Sequence, residues 1–436
     1  VTIARSRKHI QNYYDVTDIG TFPARNKPIS LRPKLTDRPG AINYKEVFEL
    51  LSKLQLTIYT PTIYIHASKL HKYLDEKESE NFRKGRELGI QRLMSINLLK
   101  RMESSVHSFL LTVRRIYDYL YDTSQAIEQF MMDGTGDLDE MRDLSAVADD
   151  FDYDDQNTDF FSVGKKVKID LRDMDYISWK RDIEEDIENL QLLILMVDDI
   201  TPEYDFKLNE LIRVIREKVA ASINEGNRKV LIFTAFSDTA EYLFDNISGM
   251  ARDELGLQTA LVTGSVDGKT TIPKFKADMN HVLSCFSPMS KDRDVLYPND
   301  KTDIDILIAT DCISEGQNLQ DCDFCINYDI HWNPVRIIQR FGRIDRIGSR
   351  NAVIQLVNFW PDLDLDEYIN LKSRVETRMR ISVMTSTGDD DLINQEEKGD
   401  LEYRRSQLKK LQEEVVDLED MTSGVSIMDL GLNEFR

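Results

Sequence analysis

Between Arg228 and Trp360 the chain alternates short, mostly apolar runs with stretches of helical periodicity, and this alternation restricts the fold more than any other feature. Val230-Leu-Ile-Phe-Thr, Thr259-Ala-Leu-Val-Thr, Ile304-Asp-Ile-Leu-Ile-Ala, Phe324-Cys-Ile-Asn-Tyr and Ala352-Val-Ile-Gln-Leu-Val read as strands. Near-continuous apolar runs of this length suit strands covered on both faces. Ser237 stands where an N-cap would open a helix over Asp238–Ile247. Strands spaced by helices predict βαβ units, hence an α/β fold with a mostly parallel sheet and helices on both sides. In such sheets ligands gather at the carboxyl ends of the strands. The loops after Thr234, Thr263 and Thr310 are therefore the places to expect a site.

The flanks have a different texture. Residues 1–40 read as irregular, broken by Pro23, Pro28, Pro33 and Pro39. Leu98, Met102, Val106, Phe109 and Leu110 recur at helical steps and predict one amphipathic helix. Residues 133–160 are acidic throughout, with Arg142 the only basic side chain, and read as a solvated linker or insertion. A second helical stretch is expected over 178–225, and charged helical sequence follows Leu363, with Leu401–Asp420 an exposed amphipathic segment. A chain of 436 residues has room for two or three domains. The expected division is 1–130, a helical N-terminal region; 131–165, the acidic linker; 166–226, a helical lead-in; 227–362, the sheet lobe; and 363–436, a helical extension.

Composition excludes some classes. Hydrophobic residues at 41% and charged residues at 31% are ordinary for a globular protein. No apolar run approaches the roughly 20 residues of a membrane span, and the start VTIARSRKHIQNYYD lacks a secretory apolar core. Four cysteines make no disulfide framework and point to a reducing, cytoplasmic setting. The net charge of -21 argues against loose coating of nucleic acid but leaves room for a narrow basic groove.

The residues with most chemical content are Gln339-Arg-Phe-Gly-Arg-Ile-Asp-Arg-Ile-Gly-Ser. Asn333-Pro334 upstream is a usual helix opening, with Asn as cap and Pro at the first position. On a continuous helix Gln339, Arg343 and Arg346 stand four and three apart and project from one face. Two permanent guanidinium forks on one face suit a polyphosphate; an exposed basic helix edge would have the same spacing. Two patterns draw attention and fail. Gly264-Ser-Val-Asp-Gly-Lys-Thr has three residues between its glycines where a phosphate loop has four. Cys322-Asp-Phe-Cys325 has no matching second pair, so its thiols read as small buried hydrophobes and no metal site is expected. Asp198-Asp199 ends an apolar run that continues a helical pattern, and reads as a helix end.

These residues resemble the Swi/Snf-type branch of superfamily 2 helicases. The Gln-x-x-x-Arg-x-x-Arg-x-Gly pattern is similar to their motif VI, with Trp332-Asn333-Pro334 before it. Ala309-Thr-Asp-Cys-Ile-Ser-Glu-Gly-Gln-Asn-Leu-Gln is similar to motif V, Lys229–Leu243 to motif IV and Val262-Thr-Gly to motif IVa, all in family order. Ala4-Arg-Ser-Arg-Lys and Leu98-Leu-Lys-Arg-Met-Glu-Ser-Ser resemble flanking elements of bacterial members. The resemblance implies a RecA-like second lobe. It makes Arg343 and Arg346 arginine fingers with Gln339 beside them, and sets Gly316 and Asn318 near the nucleotide. Ser237, Thr263, Gly264 and Thr310 would touch a double-stranded DNA backbone. It further implies ATP and Mg2+, held mainly by a first lobe. That lobe is expected to lie outside this chain, which begins at Val1 and carries neither a Walker A loop nor an Asp-Glu box. The expectation is half of a monomeric ATP-driven DNA translocase, inactive alone. Two rivals remain: a non-enzymatic docking lobe whose acidic insertion binds a basic partner, and an RNA-acting helicase of the same superfamily.

Overall fold

The computed structural model describes residues 20–73, 80–134, 169–264, 268–313, 316–330 and 334–361. The acidic segment, except for its first two residues, and the C-terminal helical tail lie outside them, as do Ala4–Lys8 and His331–Asn333. The described residues divide into two units, 34–206 and a sheet lobe made of 20–33 with 207–361.

The first unit is helical. Helix α1 (Tyr44–Leu51) opens on a capping box in which Asn43 and Glu46 each bond the other's backbone N–H. Helices α2 (Glu80–Ser104) and α3 (Val106–Asp133) replace the single helix expected across Leu98–Leu110. The break has a local cause. Ser105 is extended, and its hydroxyl accepts from Ser108 N, starting a new helix instead of continuing the old one. Phe109, Val113, Ile116, Leu120 and Ile127 form the buried stripe of α3. It packs against α2 and α4 (Tyr176–Val197). Helix α4 ends at the C-cap Asp198, so Asp198-Asp199 is a helix end. Within its buried face Asp186 accepts from Gln55 N and Thr57 N at 2.7 and 3.3 Å, holding a 3-10 turn.

Among the described residues the sheet lobe has eight strands: β1 (Ala24–Arg25), β2 (Ile29–Leu31), β3 (Val230–Phe233), β4 (Thr259–Val262), β5 (Lys269–Thr270), β6 (Ile306–Ala309), β7 (Phe324–Asn327) and β8 (Val353–Phe359). Their order is β1-β8-β7-β3-β6-β4-β5, with β2 also on β8. Every pairing is parallel except β4–β5. The five central strands are those the apolar runs predict. Strands β1 and β2 were not, because their apolar content is slight. They form because β8 offers a free parallel edge to the segment between Pro23 and Pro33.

Helices α5 (Phe206–Ala220), α6 (Ser237–Leu255), α7 (Met279–Phe286), α8 (Arg293–Leu296) and α9 (Pro334–Phe341) complete the lobe. Helix α5 is separate from α4, so the helical stretch expected over 178–225 is two helices with a turn at Thr201–Asp205. Alternation along the strands divides the core in two. Val230, Ile232, Ile306, Ile308, Ile326 and Val357 pack with Leu211 and Ile215 of α5 and Leu243 and Ile247 of α6. Leu231, Phe233, Leu307, Ala309, Cys325 and Leu356 pack with Val282 and Phe286 of α7 and with Phe341 and Ile344. Cys322 and Cys325 are fully buried in this second layer, as small hydrophobes. The α/β expectation, a mostly parallel sheet with helices on both faces, is what the strand pairing shows.

Candidate nucleotide and nucleic-acid site

The carboxyl ends of β3, β4 and β6 lie side by side, because Phe233 and Val262 both pair with Ala309. The next residues, Thr234, Thr263 and Thr310, therefore share one edge. Thr234 N donates to Ala309 O at 3.0 Å and Thr310 N to Val262 O at 3.2 Å. Thr263 and Gly264 are accessible, whereas Thr310 is only 7% exposed. Gly264 lies against Cys312. Ser237 is half-buried above the end of β3. It is not the N-cap of α6: that position falls on Phe236, and Ser237 is the first helical residue. The structure thus brings together Ser237, Thr263, Gly264 and Thr310. Residues 265–267 lie outside the described set.

Beneath this edge sits a charged network that sequence reasoning passed over. Arg340 is fully buried on α9. Its Nε and a terminal nitrogen reach the two oxygens of Asp311 at 2.6 and 2.5 Å, a bidentate pair. Its other terminal nitrogen donates to Asp329 O at 3.1 Å. Asp329 in turn accepts from the Thr234 hydroxyl at 2.6 Å and from Ala235 N at 2.9 Å. The loops after β3, β6 and β7 are tied together through one guanidinium. A signal existed: Ile337, Arg340, Phe341 and Ile344 fall on one helical stripe, and an arginine on a buried stripe needs a buried carboxylate.

The helix expected to carry Gln339, Arg343 and Arg346 on one face stops at Phe341, and Gly342–Ile344 form a turn. The expected geometry is corrected accordingly. Past Phe341 the bonds tighten to Arg343 N–Arg340 O and Ile344 N–Phe341 O, the Arg343 carbonyl accepts from Leu319 N, and Ile344 is fully buried. Arg343 folds back, its Nε donating to Gln339 O at 3.0 Å and a terminal nitrogen to Gln317 O at 3.2 Å. It is 8% exposed. Gln317 is also reached by Lys291, whose ammonium pKa is lowered by burial and then by Arg343. Lys291 is a second cation here that the motifs did not mark.

Arg346 follows a different course. Its Nε is buried and meets no hydrogen-bond partner among the described residues, and the same holds for Oε1 of Gln339. The turn carrying Arg346 is clamped by the N-terminal segment. Arg25 Nε donates to Asp345 at 2.8 Å, and Gly348 N donates to Thr21 O at 3.2 Å. Gly20 has φ +85°, and a Cβ there would stand 2.9 Å from Gly348 Cα, so glycine is required on both counts. Gly316 also has a positive φ, +68°, in an exposed turn. Asn318 lies deeper in that loop, its side chain accepting from Gln320 N at 3.4 Å. Ser290 and Lys291 approach the same loop from α7's side.

Residues 207–348 match the family model described as helicase conserved C-terminal domain. The match falls within the sheet lobe, which is thus similar to helicase C-terminal domains. Among curated proteins it is similar to the uncharacterized ATP-dependent helicase YqhH of Bacillus subtilis, 32% identical over 155 residues. It is similar also to the putative ATP-dependent DNA helicase fml2 of Schizosaccharomyces pombe, 31% identical over 160 residues. These matches cover 32% and 34% of this chain, and only 25% and 17% of the two relatives. Proteins named as ATP-dependent RNA helicases match the chain as well, at 25–29% identity. The solved helicase domain of Pyrococcus furiosus Hef aligns with 84% of this chain and 60% of its own, at 15% identity and a TM-score of 0.38. At that score the likeness bears on neither fold nor function.

The similarity raises the question of a nucleotide, and the side chains at this site answer it in part. An orphaned buried guanidinium nitrogen and a neighbouring Arg–Lys pair fit phosphate oxygens. Magnesium fits less well, since both carboxylates at this edge, Asp311 and Asp329, are engaged by Arg340, Thr234 and Ala235. No helix among the described residues is long and apolar enough to cross a membrane.

Proposed function

We propose that this chain is the arginine-supplying half of an ATP-driven motor that steps along double-stranded DNA, of the Swi/Snf type. The carrying observation is Arg346, a clamped arginine whose Nε is buried without a partner at the end of the matched helicase lobe. An unmet buried donor costs about 1–3 kcal/mol, and a phosphate oxygen arriving from a facing lobe would satisfy it. ATP, when bound, supplies the phosphoryl group that passes to water. Arg346 and Arg343 neutralise charge on that group, and Gln339 lies beside them. Lys291 adds to the positive field. Arg343 must leave Gln317 O to reach outward, so closure of the cleft and its release are coupled. Gly316 gives the intervening loop its turn, and Asn318 lies at its base.

Ser237, Thr263, Gly264 and Thr310 hold the nucleic-acid backbone. Hydroxyls and backbone N–H groups position a duplex without reading its sequence. ATP and Mg2+ are held mainly by the first lobe, and the working unit is a monomer in the cytoplasm. Arg340 binds no substrate in this reading; it holds the three loops in place.

The test is the ATPase of the intact protein with duplex DNA, single-stranded DNA or RNA. Stimulation by duplex DNA is expected. Stimulation by RNA alone would transfer the reading to an RNA helicase. No ATPase under any condition, with the lobe folded, would favour a docking lobe. Arg346→Ala should lower kcat by about 10³-fold or more while ATP affinity changes little.

A further inference from the structure

Between α7 and the segment after α8, three chemically matched side chains converge. His281 and Cys285 are four apart on α7 and so share a face. Asp300 comes from the segment after α8. One ligand atom from each lies within 4.8 Å of the others. His281 Nε2 is 2.6 Å from Asp300 Oδ2, and Cys285 Sγ is 3.7 Å from the same oxygen. We propose that His281, Cys285 and Asp300 form a binding site for a divalent transition-metal ion, zinc by preference, with its fourth position open to water.

The donor set selects the cation. Thiolate, imidazole and carboxylate together suit zinc, whereas magnesium and calcium take oxygen donors. A tetrahedral zinc with bonds of about 2.0–2.3 Å spaces its ligand atoms about 3.3–3.7 Å apart. The sulfur–oxygen separation already agrees. The histidine–aspartate contact is a hydrogen bond that must open by about 0.7 Å to reach that spacing. The ion would replace the hydrogen-bonded proton, and the Cys285 thiol would give its own proton to solvent.

The surroundings hold these groups in place. The His281 ring is sandwiched between Phe275 and Tyr297, each centroid at 4.4 Å and each plane within 25°. Asp300 Oδ1 accepts from Thr302 N at 2.8 Å, which orients the carboxylate as an outer-shell partner would. Cys285 is fully buried, while the side chains of His281 and Asp300 are 21% and 22% exposed. One side is thus open for entry and for a water ligand. The net charge of the three donors when bound is about -2, which a dication offsets; Arg293, whose charge acts on Cys285, is itself paired to Asp303 at 2.8 Å. Binding would pin the 297–302 segment to α7 and stiffen the lobe beside β4.

The intact protein, stripped with a chelator, should be titrated with Co2+ alone. The expected result is a thiolate-to-cobalt charge-transfer band that Zn2+ abolishes by competition. The band should vanish in Cys285→Ser and persist in Cys312→Ser. His281→Ala and Asp300→Asn should each weaken Co2+ binding by about tenfold or more. Absence of the band in folded protein, or its survival in Cys285→Ser, would overturn the site. If Cys285→Ser does not fold, unchanged Co2+ affinity in folded His281→Ala serves as the refuting result.

Discussion

Two regions of the sheet lobe treat buried charge in different ways. At the amino ends of β3, β7 and β8, Lys218 and Asp323 form a fully buried pair at 2.7 Å. Asn224 ties Asp323 to Val353 O, and Asn227 spans Asp321 O and Asn351. Those groups face one another. At the carboxyl ends of β6 and β7 Arg340 is closed off in the same manner by Asp311, but in the turn after α9 Arg346 Nε is buried without a hydrogen-bond partner among the described residues. The difference is that Lys218, Asp323 and Arg340 are each met by an opposite charge within the fold, whereas Arg346 keeps a donor nitrogen for something that arrives.

The largest effect expected from this contrast is on turnover. Arg346→Ala should cut ATPase by about 10³-fold, near 4 kcal/mol of transition-state stabilisation, and leave the melting temperature almost unchanged. A stability loss with normal turnover would make Arg346 a structural residue and erase the contrast. Arg343→Ala should cut turnover comparably and also destabilise the fold, since Arg343 bonds Gln339 O and Gln317 O.

The amino edge should respond in the reverse sense. Lys218→Met strands a buried carboxylate and should cost about 3–5 kcal/mol in denaturant titration, with turnover per folded molecule unaffected. Burial already pushes the Asp323 carboxyl up, against the hydrogen bond from Lys218. The double change Lys218→Met with Asp323→Leu should therefore be milder than Lys218→Met alone. If it is worse, the pair is stabilising in its own right.

The helical unit supplies a control that belongs to neither edge. Burial raises Asp186 to about 6, opposed by backbone N–H groups of Gln55 and Thr57. The folded chain then holds this proton more tightly than the unfolded one. Its contribution is fully present below the ordinary carboxylate range and is lost as pH rises through about 6. Asp186→Asn should flatten that slope, worth about 3 kcal/mol at most, without altering the pH profile of turnover.

The smallest effect tests the clamp and the loop ties. Thr234→Val removes one bond to Asp329 and should cost about 1–2 kcal/mol. Arg25→Ala releases Asp345 and should lower turnover by less than tenfold with little loss of stability. An effect of Arg25→Ala as large as that of Arg346→Ala would mean that the N-terminal segment does more than position the turn.

The five central strands were legible because each is a continuous apolar run, and a run buried on both faces leaves a local trace. The motif residues were legible too, since Arg343, Arg346, Gly316 and the threonines after β3, β4 and β6 are read by order and spacing. The geometry was not. A helix was expected through Gln339–Arg346, yet the chain turns at Gly342, where Arg343 bonds the distant Gln317 O and its carbonyl accepts from Leu319 N. Arg340 was passed over because its partners, Asp311 and Asp329, are 29 and 11 residues away. Strands β1 and β2 depend on β8, more than 300 residues along the chain, and so do the clamp on Arg346 and the close approach of Gly20 to Gly348. The sequence by itself determined the α/β lobe and singled out Arg343 and Arg346 as candidates for phosphate chemistry. Only the tertiary structure decided which arginine is bound inward and which is left with an unmet donor, because that choice rests on contacts between residues far apart in the chain.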